Sequence, residues 1–282
     1  MTVYPYWIDS NYRIWTKVDV PANSAVTLYI TQKAGYRPNI SEVFDTSINN
    51  LIGCWHFDEG TGTTTHDFSG HGRDGTFNGN VSWTTNGYYS SALSFSGGYV
   101  EMVNSTGMDG YSQLTVISRV YPTESTSSKA IYNKGACYEM TITVDGILGW
   151  AVWNASAWEW VSTGITLNLN EWYTIFWIYE NSSSIKTYVY DSNGNLRTHT
   201  GSFGSGNIAT SSYSLRIGNR TSYNTPFNGI IDEVYMFDRA LSQTEIEMIR
   251  RGICRGNNNG QLLTCKYLSY NLSFGTPTIE EF

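Results

Sequence analysis

Apolar and polar residues alternate along most of the chain, the period of half-buried β-strands. The pattern is clear in YRIWTKVDV (12–20), AVTLYITQ (25–32), YVEMV (99–103), YEMTITV (138–144), WYTIFWIYE (172–180), SIKTYVYD (184–191) and YSLRIG (213–218). Clusters of Gly, Asn and Ser separate these runs. Asn193-Gly194 and Asp145-Gly146 read as two-residue hairpin turns, because both dipeptides tolerate a left-handed backbone. Strands joined this way predict an all-β fold, a two-sheet antiparallel sandwich built of meanders.

One stretch has the helical period. In ALSQTEIEMIRRG (240–252), Ser242 reads as an N-cap and Glu245 completes a capping box. Ile246, Met248 and Ile249 supply an apolar stripe. Arg250 and Arg251 suit the negative end of the helix dipole, and Gly252 a left-handed stop.

Composition places this pattern in a class. The 282 residues are 40% hydrophobic and 15% aromatic, but only 15% charged. Such a chain buries a core while its surface relies on neutral polar groups, as in extracellular and virion-surface β proteins. Net charge is −7 with no basic run, which removes the electrostatic basis for nucleic-acid binding. No apolar run approaches the roughly 20 residues of a membrane span. The start MTVYPYWIDS lacks the basic and apolar regions of a secretion signal, so an exported form is read as a mature fragment or a virion component released by lysis.

The four cysteines contain no C-x-x-C pair, which argues against a zinc site. Cys254 and Cys265 bracket the turn-rich RGNNNGQLLT, and a local disulfide across that loop is expected. Cys54 and Cys137 fit either a second bridge or two buried thiols.

Three blocks carry a family resemblance. LIGCWHFDEGTGTTTHDFSGHGRDGTFNG (51–79) resembles the opening of laminin-G-like, concanavalin A-type jelly-roll domains. LNEWYTIFWIYENSSSIKTYVYDSNG (169–194) is similar to the central hairpin, and FNGIIDEVYMFDRALSQTEI (227–246) to the closing strand and short helix. The blocks follow the family's order and span about residues 50–250. PYWID, YRIWTKV and PANSAVTLYI resemble the later half of an uncharacterised β module that precedes such jelly rolls in prokaryotic surface proteins. The expected organisation is a small β module at 1–46, a jelly roll at 50–250, and a cysteine-bracketed hairpin with a tail at 251–282.

The resemblance implies a structural calcium that ties the opening loop to the last strand. Mapped by motif, Asp232 in IDEVYMF is the main ligand. Asp58 and Asp67 are its partners, with carbonyls near Gly70 and Gly72. Calcium takes six to eight oxygen ligands, and glycine-rich loops expose carbonyls freely. The competing reading is that Asp58 and Asp67 cap turns through Asx hydrogen bonds. His56, His66 and His71 crowd the same loop, yet spacing alone is poor grounds for a transition-metal site, and they are read as surface or turn residues.

Catalysis has little support. Laminarinase-type relatives of the fold carry Glu-x-Asp-x-x-Glu on one strand face, and no Glu here is followed by Asp two positions later. Asp58 and Glu59 are adjacent, so a strand would point them to opposite faces. The chain is therefore read as non-enzymatic.

A ligand site is expected instead in GWAVWNASAWEW (149–160). Aromatic faces stack on the C–H surfaces of sugars, and this stretch holds Trp150, Trp153, Trp158 and Trp160, with Asn154 and Glu159 as polar partners. GNRTSYNTPFNG (218–229) adds Arg220, Tyr223 and Asn224. The alternative is that these tryptophans pack in the core or against the N-terminal module. The resulting expectation is a binding or adhesion protein of an extracellular, cell-surface or virion location, with a glycan or glycoprotein partner. The second reading is a structural subunit of a virion or filament, whose aromatic patches are self-assembly contacts.

Overall fold

The computed structural model describes residues 6–8, 14–16, 50–102, 106–153, 158–180, 184–202 and 206–250. Among residues 1–46 it shows one antiparallel strand pair, β1 (Tyr6–Ile8) with β2 (Ile14–Thr16). The strand expected at 25–32, Arg251, Gly252 and the Cys254–Cys265 disulfide lie outside the described residues.

From Leu51 to Phe237 the chain forms two antiparallel sheets. The first is eight-stranded, in the order β13 (Trp158–Thr166), β12 (Ile147–Trp153), β11 (Tyr138–Ile142), β10 (Lys129–Lys134), β17 (Leu215–Ile217), β8 (Tyr99–Met102), β5 (Gly75–Asn78), β4 (Thr64–Thr65). The second runs β16 (Leu196–Ser202), β15 (Ser184–Asp191), β14 (Tyr173–Glu180), β9 (Gln113–Pro122), β18 (Asn228–Phe237), β7 (Ala92–Ser96), β6 (Val81–Thr84). β3 (Leu51–Trp55) pairs with β18 beside that path.

The main core lies between the sheets. Tyr138, Met140, Trp150 and Val152 of the first sheet meet Tyr173, Ile175, Trp177 and Ile231 of the second. The Tyr138 and Trp177 rings lie 6.0 Å apart. A second apolar cluster fills the other side of the second sheet, where Ile117, Phe176, Ile178, Tyr235 and Phe237 meet Leu241, Ile246 and Ile249 of the helix region. Helix α1 (Gln243–Arg250) thus covers this sheet from outside. Burial on both faces explains why YTIFWIY reads as an almost unbroken apolar run.

The helix starts as its sequence predicts. The Ser242 amide donates to Glu245 Oε2 at 2.8 Å, and the Glu245 amide donates to Ser242 Oγ at 3.4 Å. Ile246 and Ile249 are buried, while the Met248 side chain lies outside the described residues. Arg250 lies in the last turn as expected and also binds Glu247, with Nη2 to Oε2 at 3.0 Å.

The two hairpin turns differ from expectation in the same way. Asp191 N donates to Asn195 O, and Thr143 N to Ile147 O, so each loop holds three residues and not two. Gly194 (φ 82°) and Gly146 (φ 73°) occupy the third, left-handed position. A type I turn followed by such a residue closes a hairpin as readily as a two-residue turn, and the dipeptide alone does not separate them.

Candidate functional site on the outer face of the first sheet

Strand β12 reads Leu148, Gly149, Trp150, Ala151, Val152, Trp153. Leu148, Trp150 and Val152 point into the core. Gly149, Ala151 and Trp153 therefore face outward. Opposed residues share a face, so the pairs Trp153–Trp158 and Ala151–Trp160 place both β13 tryptophans outside. Trp160 is 55% exposed and Trp158 39%. The Trp153 and Trp158 ring centroids are 5.8 Å apart, and those of Trp158 and Trp160 are 6.3 Å apart.

The register extends this row across the sheet. Trp160 faces Ala151, then come Glu139, Asn133, Arg216, Glu101 and Thr76 on successive strands. Glu139 binds Arg220 with both carboxylate oxygens, at 2.8 Å to Nε and 2.5 Å to Nη2. The same guanidinium lies 5.1 Å from the Trp160 ring centroid. Arg220 thus bridges Glu139 and Trp160 above the small side chain of Ala151. Asn133 Nδ2 donates to Glu139 Oε2 at 3.0 Å. Burial raises the Glu139 carboxyl above its ordinary pKa of 4.5, more than the Arg220 and Asn133 bonds lower it.

The loop that carries Arg220 is itself fixed to the sheet. Asn133 Oδ1 accepts from the Thr221 amide and hydroxyl, both at 3.1 Å. Asn219 Oδ1 accepts from the amides of Arg220 and Thr225, and Asn219 Nδ2 donates to Asn224 Oδ1. Tyr223 projects from this loop with 72% exposure.

Of the expected ligand residues, Trp153, Trp158, Trp160 and Arg220 come together. Trp150 does not belong with them: it is fully buried in the core, because the large residues of β12 alternate with Gly149 and Ala151. Glu159 opposes core-facing Val152, so it points to the other face from Trp158 and Trp160. Asn154 lies outside the described residues. Glu139 and Asn133 were not foreseen, since their link to the tryptophans depends on pairing across strands.

The opening loop is organised by Asx bonding. Asp67 Oδ1 accepts from the amides of Cys54 (3.1 Å) and Ser69 (2.9 Å), and Oδ2 from Ser69 Oγ (2.8 Å) and the Arg73 amide (3.0 Å). With four donors aimed at it, this carboxylate does not fit a calcium ligand, contrary to expectation. Gly70 is exposed with φ 89° in the same turn. Asp58 is exposed. Asp232 is fully buried, with Oδ2 accepting from the Tyr89 amide at 3.0 Å and Oδ1 without a hydrogen-bond partner among the described residues. Burial, then the Glu233 charge, push its pKa well above 3.8, and Asp58 adds to this. No group of three or more His, Cys, Asp or Glu able to hold a metal occurs among the described residues.

Cys54 and Cys137 are free buried thiols, which decides between the two readings left open for them. His66 and His71 are exposed turn residues, but His56 is not. His56 Nδ1 lies 2.8 Å from Glu233 Oε2, and its Nε2 lies 3.4 Å from Cys54 Sγ. A thiol, imidazole and carboxylate in line can make a nucleophile, base and orienting acid. Here Cys54 and Glu233 are 0% exposed and His56 5%, so no substrate reaches the sulfur. The trio ties β3 to β18.

Comparisons agree with this architecture. Several solved structures share the fold. The binding domain of Paraclostridial Mosquitocidal Protein 1 aligns with TM-score 0.60 and 14% identity, over 73% of this chain and 53% of that one. Domain 4 of AbnA, an extracellular arabinanase from Geobacillus stearothermophilus, in complex with arabinotriose, aligns with TM-score 0.52 and 18% identity, over 70% and 96%. A structure of botulinum neurotoxin type C, whose cell entry depends on two ganglioside molecules, aligns with TM-score 0.53 and 14% identity, over 74% and 52%. The chain spans about half the length of the first and third of these. No curated protein matches the sequence. No helix among the described residues is long and apolar enough to cross a membrane. A laminin-G-type family model of the concanavalin A-like lectin/glucanases superfamily matches residues 94–247. With that match over more than half its length and the two-sheet sandwich to support it, the chain belongs to the concanavalin A-like lectin/glucanases superfamily.

Proposed function

We propose that the chain is a non-catalytic carbohydrate-binding domain acting outside the cell or on a virion surface, with its site on the outer face of the first sheet. The observation that carries this reading is the outward row of Trp153, Trp158 and Trp160 beside the Arg220–Glu139 pair. The neighbouring, mutually tilted indoles offer sugar-sized apolar faces, and the polar row supplies hydrogen-bonding groups in fixed positions. The arabinotriose complex of one structural neighbour and the ganglioside dependence of another support a glycan as the ligand. Glu139 and Glu101 share the face but are three strands apart, about 14 Å at the usual strand spacing. That exceeds the roughly 5–9.5 Å of glycosidase carboxyl pairs.

A glycan array tests the reading. Trp160→Ala and Trp158→Ala should each weaken the wild-type hits at least about tenfold, as for a truncated aromatic anchor. Hits that survive both substitutions would place the site elsewhere. If the array is blank and light scattering shows oligomers that the same substitutions dissolve, the face is a self-assembly contact.

We also propose a structural calcium, narrowed to Asp232, whose buried Oδ1 has no hydrogen-bond partner among the described residues and which feels the negative charges of Asp58 and Glu233 as well as the Arg119 cation. The remaining ligands would be backbone carbonyls. A chelator should then lower the melting temperature of the wild type and leave Asp232→Asn unmoved. Equal melting with and without chelator in the wild type would contradict it.

A further inference from the structure

The cations of the aromatic face are already neutralised. Arg220 presents the fork of its guanidinium, Nε and Nη2, to both oxygens of Glu139, whose side chain is 3% exposed against 17% for Arg220. Its Cζ lies over the Trp160 ring. Farther along the row, Arg216 Nε meets Glu101 Oε1 at 3.1 Å, and its guanidinium stacks 4.2 Å from the Tyr99 ring centroid.

An acidic sugar needs an available cation, and the guanidinium fork is the group that grips a carboxylate with two bonds. To offer that fork, Arg220 would have to release Glu139, leaving a buried carboxylate unpaired, which is costly. A neutral sugar makes no such demand. It can stack on the indoles and bond to the outer edge of Arg220, which is 17% exposed.

Building on the glycan-binding role assigned above to this face, we propose that it takes neutral oligosaccharides and rejects sialylated or otherwise carboxylate-bearing ones, and that Glu139 sets this preference by holding Arg220. Glu139 is a specificity residue and not an anchor. Its removal should convert Arg220 into a receptor for an anionic sugar.

The test is an array, at neutral pH, in which each neutral oligosaccharide stands beside its sialylated counterpart, lactose beside 3′-sialyllactose among them. It is read at low and high salt for the wild type and for Glu139→Gln. The expected result is wild-type binding confined to neutral members and indifferent to salt. Glu139→Gln, shown to be folded by circular dichroism, should gain at least about tenfold toward the sialylated members, the worth of a charge-assisted bond. Wild-type preference for sialylated members, lost at high salt and in Trp160→Ala, would overturn the inference while leaving the glycan site standing. A folded Glu139→Gln that gains nothing would also overturn it. If that variant fails to fold, the wild-type comparison decides alone. Absence of binding to either class would instead remove the glycan reading itself, and this inference with it.

Discussion

At Glu233 the backbone enters the left-handed region, with φ 51°. Asp232 pairs with Arg119 and Tyr235 with Ile117, so Glu233 and Val234 together oppose a single residue of β9. This is a bulge, and it breaks the alternation. Ile231 and Val234 both enter the core, leaving the two acids between them on the outer side. Regular pairing would drive one acid inward. Glu233 meets His56 there, and burial sets the terms of the pair. Burial opposes charge on His56, but the Cys54 sulfur and the Glu233 carboxylate more than offset it and hold the imidazole well above 6.5. Burial also pushes the Cys54 thiol above its ordinary 9.0, although His56 works to lower it. A raised histidine pKa contributes stability that is full below about pH 6.5 and lost as pH rises through the folded value. Urea denaturation from pH 6.5 upward should therefore show falling stability. His56→Gln, which takes the imidazole cation away from buried Glu233, should cost about 3–5 kcal/mol at pH 6.5 and flatten that decline. An unchanged slope in the variant would show that another group titrates. None of this was legible in the sequence, because a bulge and a contact between residues 56 and 233 leave no local pattern. Trp150 was different. The large–small alternation of Leu148, Gly149, Trp150, Ala151 and Val152 announces which face is core, and weighing residue size as well as aromaticity would have placed Trp150 inside.

Among the elements, α1 was the most readable, since its cap is written in neighbouring residues. Burial works to raise the Glu245 carboxyl, but hydrogen bonds from Arg239 and Ser242 prevail and hold it below 4.5. A lowered carboxyl contributes stability that is present above about pH 4.5 and lost as pH falls through the folded value. Ser242→Ala should cost about 1 kcal/mol in urea denaturation at neutral pH, the usual worth of an N-cap. No loss would mean the helix is held by Ile246 and Ile249 alone. Gly229 is a stricter point. Its φ is 139°, and an added Cβ would come within 2.2 Å of the Tyr121 carbonyl oxygen on the neighbouring strand. Gly229→Ala should lower the melting temperature clearly, because backbone must move to admit the methyl group. Strands were legible wherever one face is solvated. Their order was not, since the neighbours of β17 are β10 and β8, far away in sequence.

Over the whole molecule, the two outer faces have different fates. The second sheet is capped by α1 over apolar Phe176, Ile178 and Phe237, whereas the first carries a cross-strand row of polar and aromatic residues. The family resemblance in three sequence blocks was enough to anticipate the sandwich. The aromatic half of this outer row was also anticipated, because the tryptophans are clustered in sequence. Glu139, Asn133 and Arg216 come from separate strands and join that cluster only through register. If glycan lies on this face, the indole resonances report it directly. In a proton–nitrogen NMR titration of the chain with the strongest array hit, the Nε1–H signals of Trp153, Trp158 and Trp160 should shift together and saturate. Those of buried Trp55, Trp150 and Trp177 should stay in place. Saturable shifts confined to other tryptophans, with these three unmoved, would place the glycan off this face.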